Sequence, residues 1–313
     1  MVVAAPFAAF ADVIPTFVSP ISIDMSPQYP SPGQNVTLTV ADPANDPSNT
    51  SYAWSVNGTV TEQGIGQKSL TLSAPAAGAS ETVNVTASEN SVVRASARMA
   101  VTPASIDIVW EGDTYRPPFY IGRPLPNGQS ALTAIAFPHI TVNGKEVAGS
   151  DLVYSWKVND TLLDTQSGYG KSSIEITPPR FGAAFTLSVT ATSRDGTRGA
   201  SNMITIAPRT PTAVFYENAA LLGVRFDRAA AGSYPFPSDE ISFIAYPLFV
   251  TDASALSYSW SLDGAAFAVD PAKPRDVTFR KVGSGGGTHT VSLAYSNVKE
   301  FLENATRTFT LSF

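Results

Sequence analysis

The chain has 313 residues, 20 basic and 26 acidic side chains and no cysteine, which excludes disulfides and cysteine-based metal sites and makes it long for one domain. The net charge is −6, charged residues make up 15% of the total, and no Lys/Arg cluster occurs, so neither nucleic acid nor an anionic membrane surface is an expected partner. No later run reaches the length of about eighteen apolar residues that a membrane-spanning helix needs.

Residues 1–17 are apolar and Ala-rich, and Ala9-Phe10-Ala11 ahead of Asp12 has the form of a signal-peptidase site. The segment reads as a signal-peptide remnant or an apolar tail, and it implies an extracellular or cell-surface, secreted protein. A first module follows over residues 18–103. Ile21 and Ile23 mark a first strand, residues 35–41 (NVTLTVA) alternate as a second, and 42–50 is a polar turn. Strands are expected at 52–56, 69–73, 82–88 and 94–101, with a further one starting at Thr59. The turn holds the calcium candidates Asp42 and Asp46 beside Asn45 and Asn49. Calcium takes such oxygen-rich loops, but a solvated turn whose side chains cap backbone amides uses the same residues.

A second module covers residues 104–207, with strands at 105–110, 153–158, 173–177, 184–191 and 200–206, and one ending at Pro138. Its connector, 111–128, is long and holds Tyr115, Phe119 and Tyr120. A third module covers residues 208–313, and its connector, 217–239, holds Tyr234 and Phe236. Long connections without structure of their own are often functional, so these five aromatic residues are the ligand or partner candidates. The competing expectation is that they cover a sheet edge or pack on the neighbouring module, because large aromatic rings are costly to leave in water. The links at 102–104 and 208–211 are short and contain proline, which predicts a stiff, elongated array.

The modules repeat one pattern. Tyr52-Ala53-Trp54-Ser55-Val56-Asn57-Gly58 returns as Tyr154-Ser155-Trp156-Lys157-Val158-Asn159-Asp160 and Tyr258-Ser259-Trp260-Ser261-Leu262-Asp263-Gly264. A Thr-initiated strand starts at Thr82, Thr186 and Thr290, at a constant spacing of 104 residues. An apolar strand ending in Pro43, Pro138 or Pro247 precedes each tryptophan at a looser spacing. Trp54, Trp156 and Trp260 are therefore the expected core anchors of three all-β sandwiches. Asn57-Gly58 and Asp263-Gly264 suit tight hairpins, and Asp160 in place of Gly predicts a different turn in the middle module.

With these residues in place, the modules resemble tandem PKD-like or bacterial immunoglobulin-like domains. The Y-x-W pattern is similar to the aromatic signature of PKD domains, although Ser-Val-Asn-Gly follows Trp54 where that signature has Gly-Asp-Gly. The layout is also similar to exported proteins of candidate-phylum bacteria encoded near type IV pilus genes. The resemblance implies display, adhesion or spacing without catalysis, with cell-surface or pilus proteins, or glycans, as partners and no cofactor. His139 and His289 stand apart from any ligand cluster, and the Gly-rich stretch 283–287 leads into a strand rather than a phosphate-binding helix.

Overall fold

The computed structural model describes residues 21–142, 144–178, 182–283 and 286–312. The expected signal remnant at 1–17, the first residues of the first module at 18–20, and positions 284 and 285 of the Gly-rich stretch lie outside the described residues. By compactness the chain divides into two units, one formed by residues up to 105 with 139–147 and 195–201, the other by 106–138, 148–194 and 202–313. The described structure is all-β, built from pairs of sheets.

The first sandwich contains β1 (Ser22–Ser26), β2 (Asn35–Ala41), β3 (Ser51–Val56), β4 (Thr59–Ile65), β5 (Ser69–Ser73), β6 (Glu81–Glu89) and β7 (Val92–Val101). One sheet has the order β1-β2-β5 and the other β4-β3-β6-β7. Val36, Leu38 and Val40 alternate inward along β2 and meet Trp54, Val83 and Val85 from the facing sheet in one core. This alternation is what one buried face per strand requires.

The second sandwich contains β8 (Ser105–Gly112), β9 (Leu132–His139), β10 (Thr141–Val142), β11 (Lys145–Glu146), β12 (Val153–Val158), β13 (Thr161–Leu162), β14 (Gly168–Tyr169), β15 (Ser173–Ile176), β16 (Phe185–Thr192) and β17 (Gly199–Ile206). Its sheets run β15-β9-β8 and β13-β12-β16-β17, with β14 also on β12. The small hairpin β10-β11 occupies the loop before the tryptophan strand and explains the looser spacing there.

The third contains β18 (Thr212–Ala219), β19 (Gly223–Ala230), β20 (Ser233–Pro235), β21 (Glu240–Leu248), β22 (Leu256–Leu262), β23 (Ala265–Phe267), β24 (Asp276–Arg280), β25 (Thr288–Asn297) and β26 (Asn304–Ser312). The orders are β19-β18-β21-β24 and β20-β26-β25-β22-β23. Removing the β10-β11 hairpin, β14, β19 and β20 leaves the same two sheets three times. This is an immunoglobulin-like arrangement, in which the strands of each sheet alternate along the chain. Residues 217–239, expected as an unstructured connector, instead complete β18, form β19 and place β20 parallel to β26.

One set of contacts recurs in every sandwich. The three repeat tryptophans are at most 1% exposed. Each indole N–H donates to a backbone carbonyl of the segment that leads to the opposite sheet: Trp54 to Gln67 at 2.9 Å, Trp156 to Lys171 at 2.9 Å and Trp260 to Pro274 at 3.0 Å. Each tyrosine two residues earlier donates its hydroxyl to the loop before the strand: Tyr52 to Asp42 Oδ2, Tyr154 to the Gly149 carbonyl and Tyr258 to the Ala253 carbonyl. The sixth residue of the motif accepts from the amide of the threonine at the next repeat strand. Asn57 Oδ1 takes the Thr82 amide, Asn159 Oδ1 the Thr186 amide and Asp263 Oδ1 the Thr290 amide. The two sequence landmarks are thus two halves of one hydrogen-bonded corner.

The middle hairpin does not use a different turn. Asn159 and Asp160 have φ of 46° and 63°, as Asn57-Gly58 has 50° and 85°. Both central residues are left-handed in each case, the condition for a type I′ turn, and Asp is one of the few side chains that tolerate it.

Trp156→Ala should destabilise the second sandwich by about 3–5 kcal/mol. Trp156→Phe keeps most of the ring but orphans the Lys171 carbonyl, for about 1–3 kcal/mol. Calorimetric unfolding of both variants checks this, and a loss under 1 kcal/mol for the alanine variant would show that the ring is not the anchor.

Candidate functional site

The connector of the second sandwich, expected as a possible binding surface, is seated on the third. It begins where the chain passes close over itself. A Cβ on Gly112 would lie 2.4 Å from Pro126 N and 2.7 Å from Pro126 Cα, so only glycine fits without a backbone shift. Gly112 N donates to the Pro124 carbonyl at 2.9 Å, Asp113 N to Ala131 at 2.8 Å and Thr114 Oγ1 to Leu125 at 3.1 Å. Arg123 lies over the Trp110 ring at 3.8 Å, and Arg116 Nε donates to the Tyr120 carbonyl. These bonds close the connector into a compact loop.

Three candidate residues lie on this loop. Tyr115 donates its amide to the Val250 carbonyl at 2.6 Å and packs against the core of the third sandwich. Phe119 joins Tyr216, Phe226 and Tyr246 in a four-ring cluster, with centroid distances from Phe119 of 4.8, 5.0 and 5.3 Å. Tyr216 and Tyr246 point to the side of their sheet away from the core residues Phe215 and Ala245, yet both are buried. Burial raises both phenols above the ordinary tyrosine value. Tyr120 folds back on its own loop, its amide donating to the Pro117 carbonyl.

Tyr234 and Phe236, also among the candidates, do not stand on an exposed connector. Both are 3% exposed and belong to the third core. β20 hydrogen-bonds to β26, the Tyr234 ring stands 5.2 Å from Phe243, and its hydroxyl donates to Glu217 Oε2 at 2.7 Å. Burial first, then this bond to a carboxylate, pushes the phenol up to about 12.

A polar joint lies at the end of the connector, and sequence reasoning missed it. Glu303 is fully buried. Its Oε1 accepts from Asn127 Nδ2 at 2.8 Å and the Thr251 amide at 2.6 Å, and its Oε2 accepts from Asn297 Nδ2 at 2.9 Å and Thr251 Oγ1 at 3.2 Å. Asn127 Nδ2 also donates to the Phe249 carbonyl, from a residue held at φ 60°. Gln129 adds bonds to Glu300 and to the Leu302 amide. A buried carboxylate persists where hydrogen bonds replace its water. No residue spacing announces this joint, because Asn127 lies 122 positions from Phe249 and 176 from Glu303, and all three look like ordinary loop residues. The aromatic cluster did leave a signal. Val214-Phe215-Tyr216 and Phe243-Ile244-Ala245-Tyr246 are continuous apolar runs, the mark of a sheet covered on both faces.

The calcium candidates occupy a capped turn. Asp42 Oδ1 accepts from the Ala44 and Asn45 amides and from Asn45 Nδ2, and Oδ2 accepts from Asn45 Nδ2 and Tyr52. Asp46 Oδ1 accepts from the Ser48 amide and hydroxyl. Burial raises the Asp42 carboxyl, but its bonds from Asn45, Tyr52 and Ala44 outweigh that and set it below the ordinary value. Burial and the same contact push Tyr52 up to about 12. His139 faces Glu146, and His289 faces Asp263. Among the described residues no three His, Cys, Asp or Glu side chains group as metal ligands. No helix among them is long and apolar enough to cross a membrane.

No family model matches the chain, and no curated protein matches it. Solved structures to which it is similar are tandem arrays. The three N-terminal domains of the bacteriophage RB49 highly immunogenic outer capsid protein align at 17% identity over 93% of this chain and 98% of that one, with a TM-score of 0.26. Immunoglobulin domains 1–5 of Sidekick-1 align at 10% identity over 91% of this chain and 56% of that one, with a TM-score of 0.26. The central fibronectin-III array of RIM-binding protein aligns at 10% identity over 89% and 91%, with a TM-score of 0.30. At these values the likenesses carry nothing about function, and the immunoglobulin-like fold rests on the sheet orders above.

Two outcomes are expected. Glu303→Gln places an amide among groups that all donate, and hydrogen bonds to a charged acceptor contribute about 1.5–3 kcal/mol each. The second unit should lose at least about 2 kcal/mol, read by urea denaturation. For Asp42, a depressed folded value means stability present above the unfolded value and lost as pH falls through the folded one. The advantage of the native protein over Asp42→Asn should therefore shrink as pH drops below 3.8, read as melting temperature against pH.

Proposed function

We propose that this chain is a non-catalytic structural or adhesion protein, a multi-module spacer at the cell surface or associated with pili. Its repeating units on this reading are residues 18–103, 104–207 and 208–313, related to PKD-like or bacterial immunoglobulin-like domains. The observation that carries it is the joint within the second unit. The connector that could have formed a free loop is consumed in holding two sandwiches together, through Phe119 in the ring cluster and Asn127 on Glu303. A joint of that kind fixes spacing between modules and serves display rather than turnover. Secretion rests on the Ala-rich start and its Ala9-Phe10-Ala11 site.

A second reading, a carbohydrate-binding accessory protein, is favoured by one observation. Tyr115 lines an open cleft with Arg275 and Tyr258.

Cell fractionation with immunogold labelling tests the first reading. Label along filaments or on the envelope is the expected result. Label confined to the cytoplasm overturns it.

A further inference from the structure

The third sandwich departs from the other two at one position of the repeat. Across the sheet from Tyr52 and Tyr154 stand Ala87 and Ala191, which leave room for the tyrosine rings. Across from Tyr258 stands Tyr295, with ring centroids 6.1 Å apart. Directly opposed residues share one face of a sheet, and here the inner space is taken. Tyr295 is buried and its hydroxyl donates to the Thr212 carbonyl at 2.8 Å. Tyr52 and Tyr154 are 0% and 1% exposed, whereas Tyr258 is half-buried. It forms a wall of an open cleft of about 380 Å³, whose other walls are Tyr115, Pro274, Arg275 and the turn at 252–254. Small-ligand sites span about 300–1,000 Å³.

The polar groups of the cleft are specific. Arg275 Nη1 makes one long hydrogen bond, 3.5 Å to Tyr115 Oη, and the guanidinium lies 5.6 Å from the Tyr246 ring centroid. Among the described residues it makes no ion pair within 4.0 Å of a carboxylate, although its charge acts on the adjoining Asp276. Asp252 Oδ1 accepts from the Ser254 amide at 2.8 Å and hydroxyl at 2.7 Å. The Ser254 hydroxyl, then its amide, holds that carboxyl below the ordinary value, so it is ionised at neutral pH. Its Oδ2 holds neither of those bonds.

We propose that this cleft binds a carboxylated sugar, a uronate unit of an acidic glycan. The planar Arg275 fork takes the carboxylate. The Tyr115 and Tyr258 rings meet the apolar face of the sugar, and Asp252 Oδ2 accepts from its hydroxyls. Asp252 favours a polyol acid over a plain run of carboxylates, because the hydroxyls beside a uronate carboxylate can donate to it whereas Glu side chains bring only acceptors. The inference deepens the second reading above and rests on it.

Calorimetric titration of the full chain with an oligogalacturonide, a neutral oligogalactoside of equal length and a Glu-rich peptide tests it. The uronate should bind, with the neutral sugar weaker by about tenfold or more, the scale of one hydrogen-bonded charge pair. Arg275→Gln should remove that difference at unchanged melting temperature. If this variant melts lower, Arg275→Lys keeps the charge without the fork and should still weaken uronate binding several-fold. Equal affinity for charged and neutral sugars, no uronate binding at millimolar concentration, tighter binding of the peptide, or wild-type affinity in both variants would each overturn the proposal. Such a failure leaves surface display standing, since localisation tests that separately.

Discussion

The indole N–H of each repeat tryptophan joins the two sheets of its sandwich. The ring fills the core from the central strand of one sheet, and its single donor must find an acceptor because the site is dry. The acceptor is a backbone carbonyl just before the strand that crosses to the other sheet, at Gln67, Lys171 or Pro274. A hydrophobic anchor and a directional bond thus act at one residue. The tyrosine two positions earlier fixes the preceding loop, and the Asn or Asp three positions later fixes the start of the next repeat strand. Seven residues therefore set the entry, centre and exit of the strand. This explains why the pattern survives three times while the loops around it change.

What differs between the sandwiches is what they add to that frame. The first adds a seven-residue strand β4, while the corresponding β13 and β23 have two and three residues. The third adds β19 and β20, which put Tyr234 and Phe236 into its core. The second sends out a loop whose aromatic ring completes the outer face of its neighbour's sheet. Covering one sheet face with a connector removes apolar surface from water, and the Glu303 cage makes the seating directional. Apolar burial supplies most of the drive for such a contact, and the polar cage selects one geometry.

The same contacts bear on function. Rings and loops that reading in one dimension places together as candidates have separate fates in space. Phe119 is occupied by neighbours, Tyr234 and Phe236 are internal, and Tyr115 stands at the rim of a cleft beside an arginine. Across the sheet from its Tyr258 wall stands Tyr295, where the other two sandwiches have alanine.

The sequence by itself determined the sandwich fold, the three tryptophan anchors and the strands that carry the repeat. These depend on period-two alternation and on short motifs whose members lie within about ten residues of each other. It also placed the turn residues, though Asp160 read as an exception because left-handed backbone is usually glycine and its tolerance by Asp is not visible in spacing. Only the tertiary structure decided which aromatic residues were covered, that residues 217–239 are strands, and that Asn127 meets Glu303. The cover over Tyr216 and Tyr246 and the Asn127–Glu303 bond depend on pairs about a hundred or more positions apart, and β20 depends on a partner strand 77 positions away. A loop residue carries no mark of a partner so distant. Burial of a ring or a carboxylate is a property of what finally surrounds it, and local pattern encodes only the face it starts from.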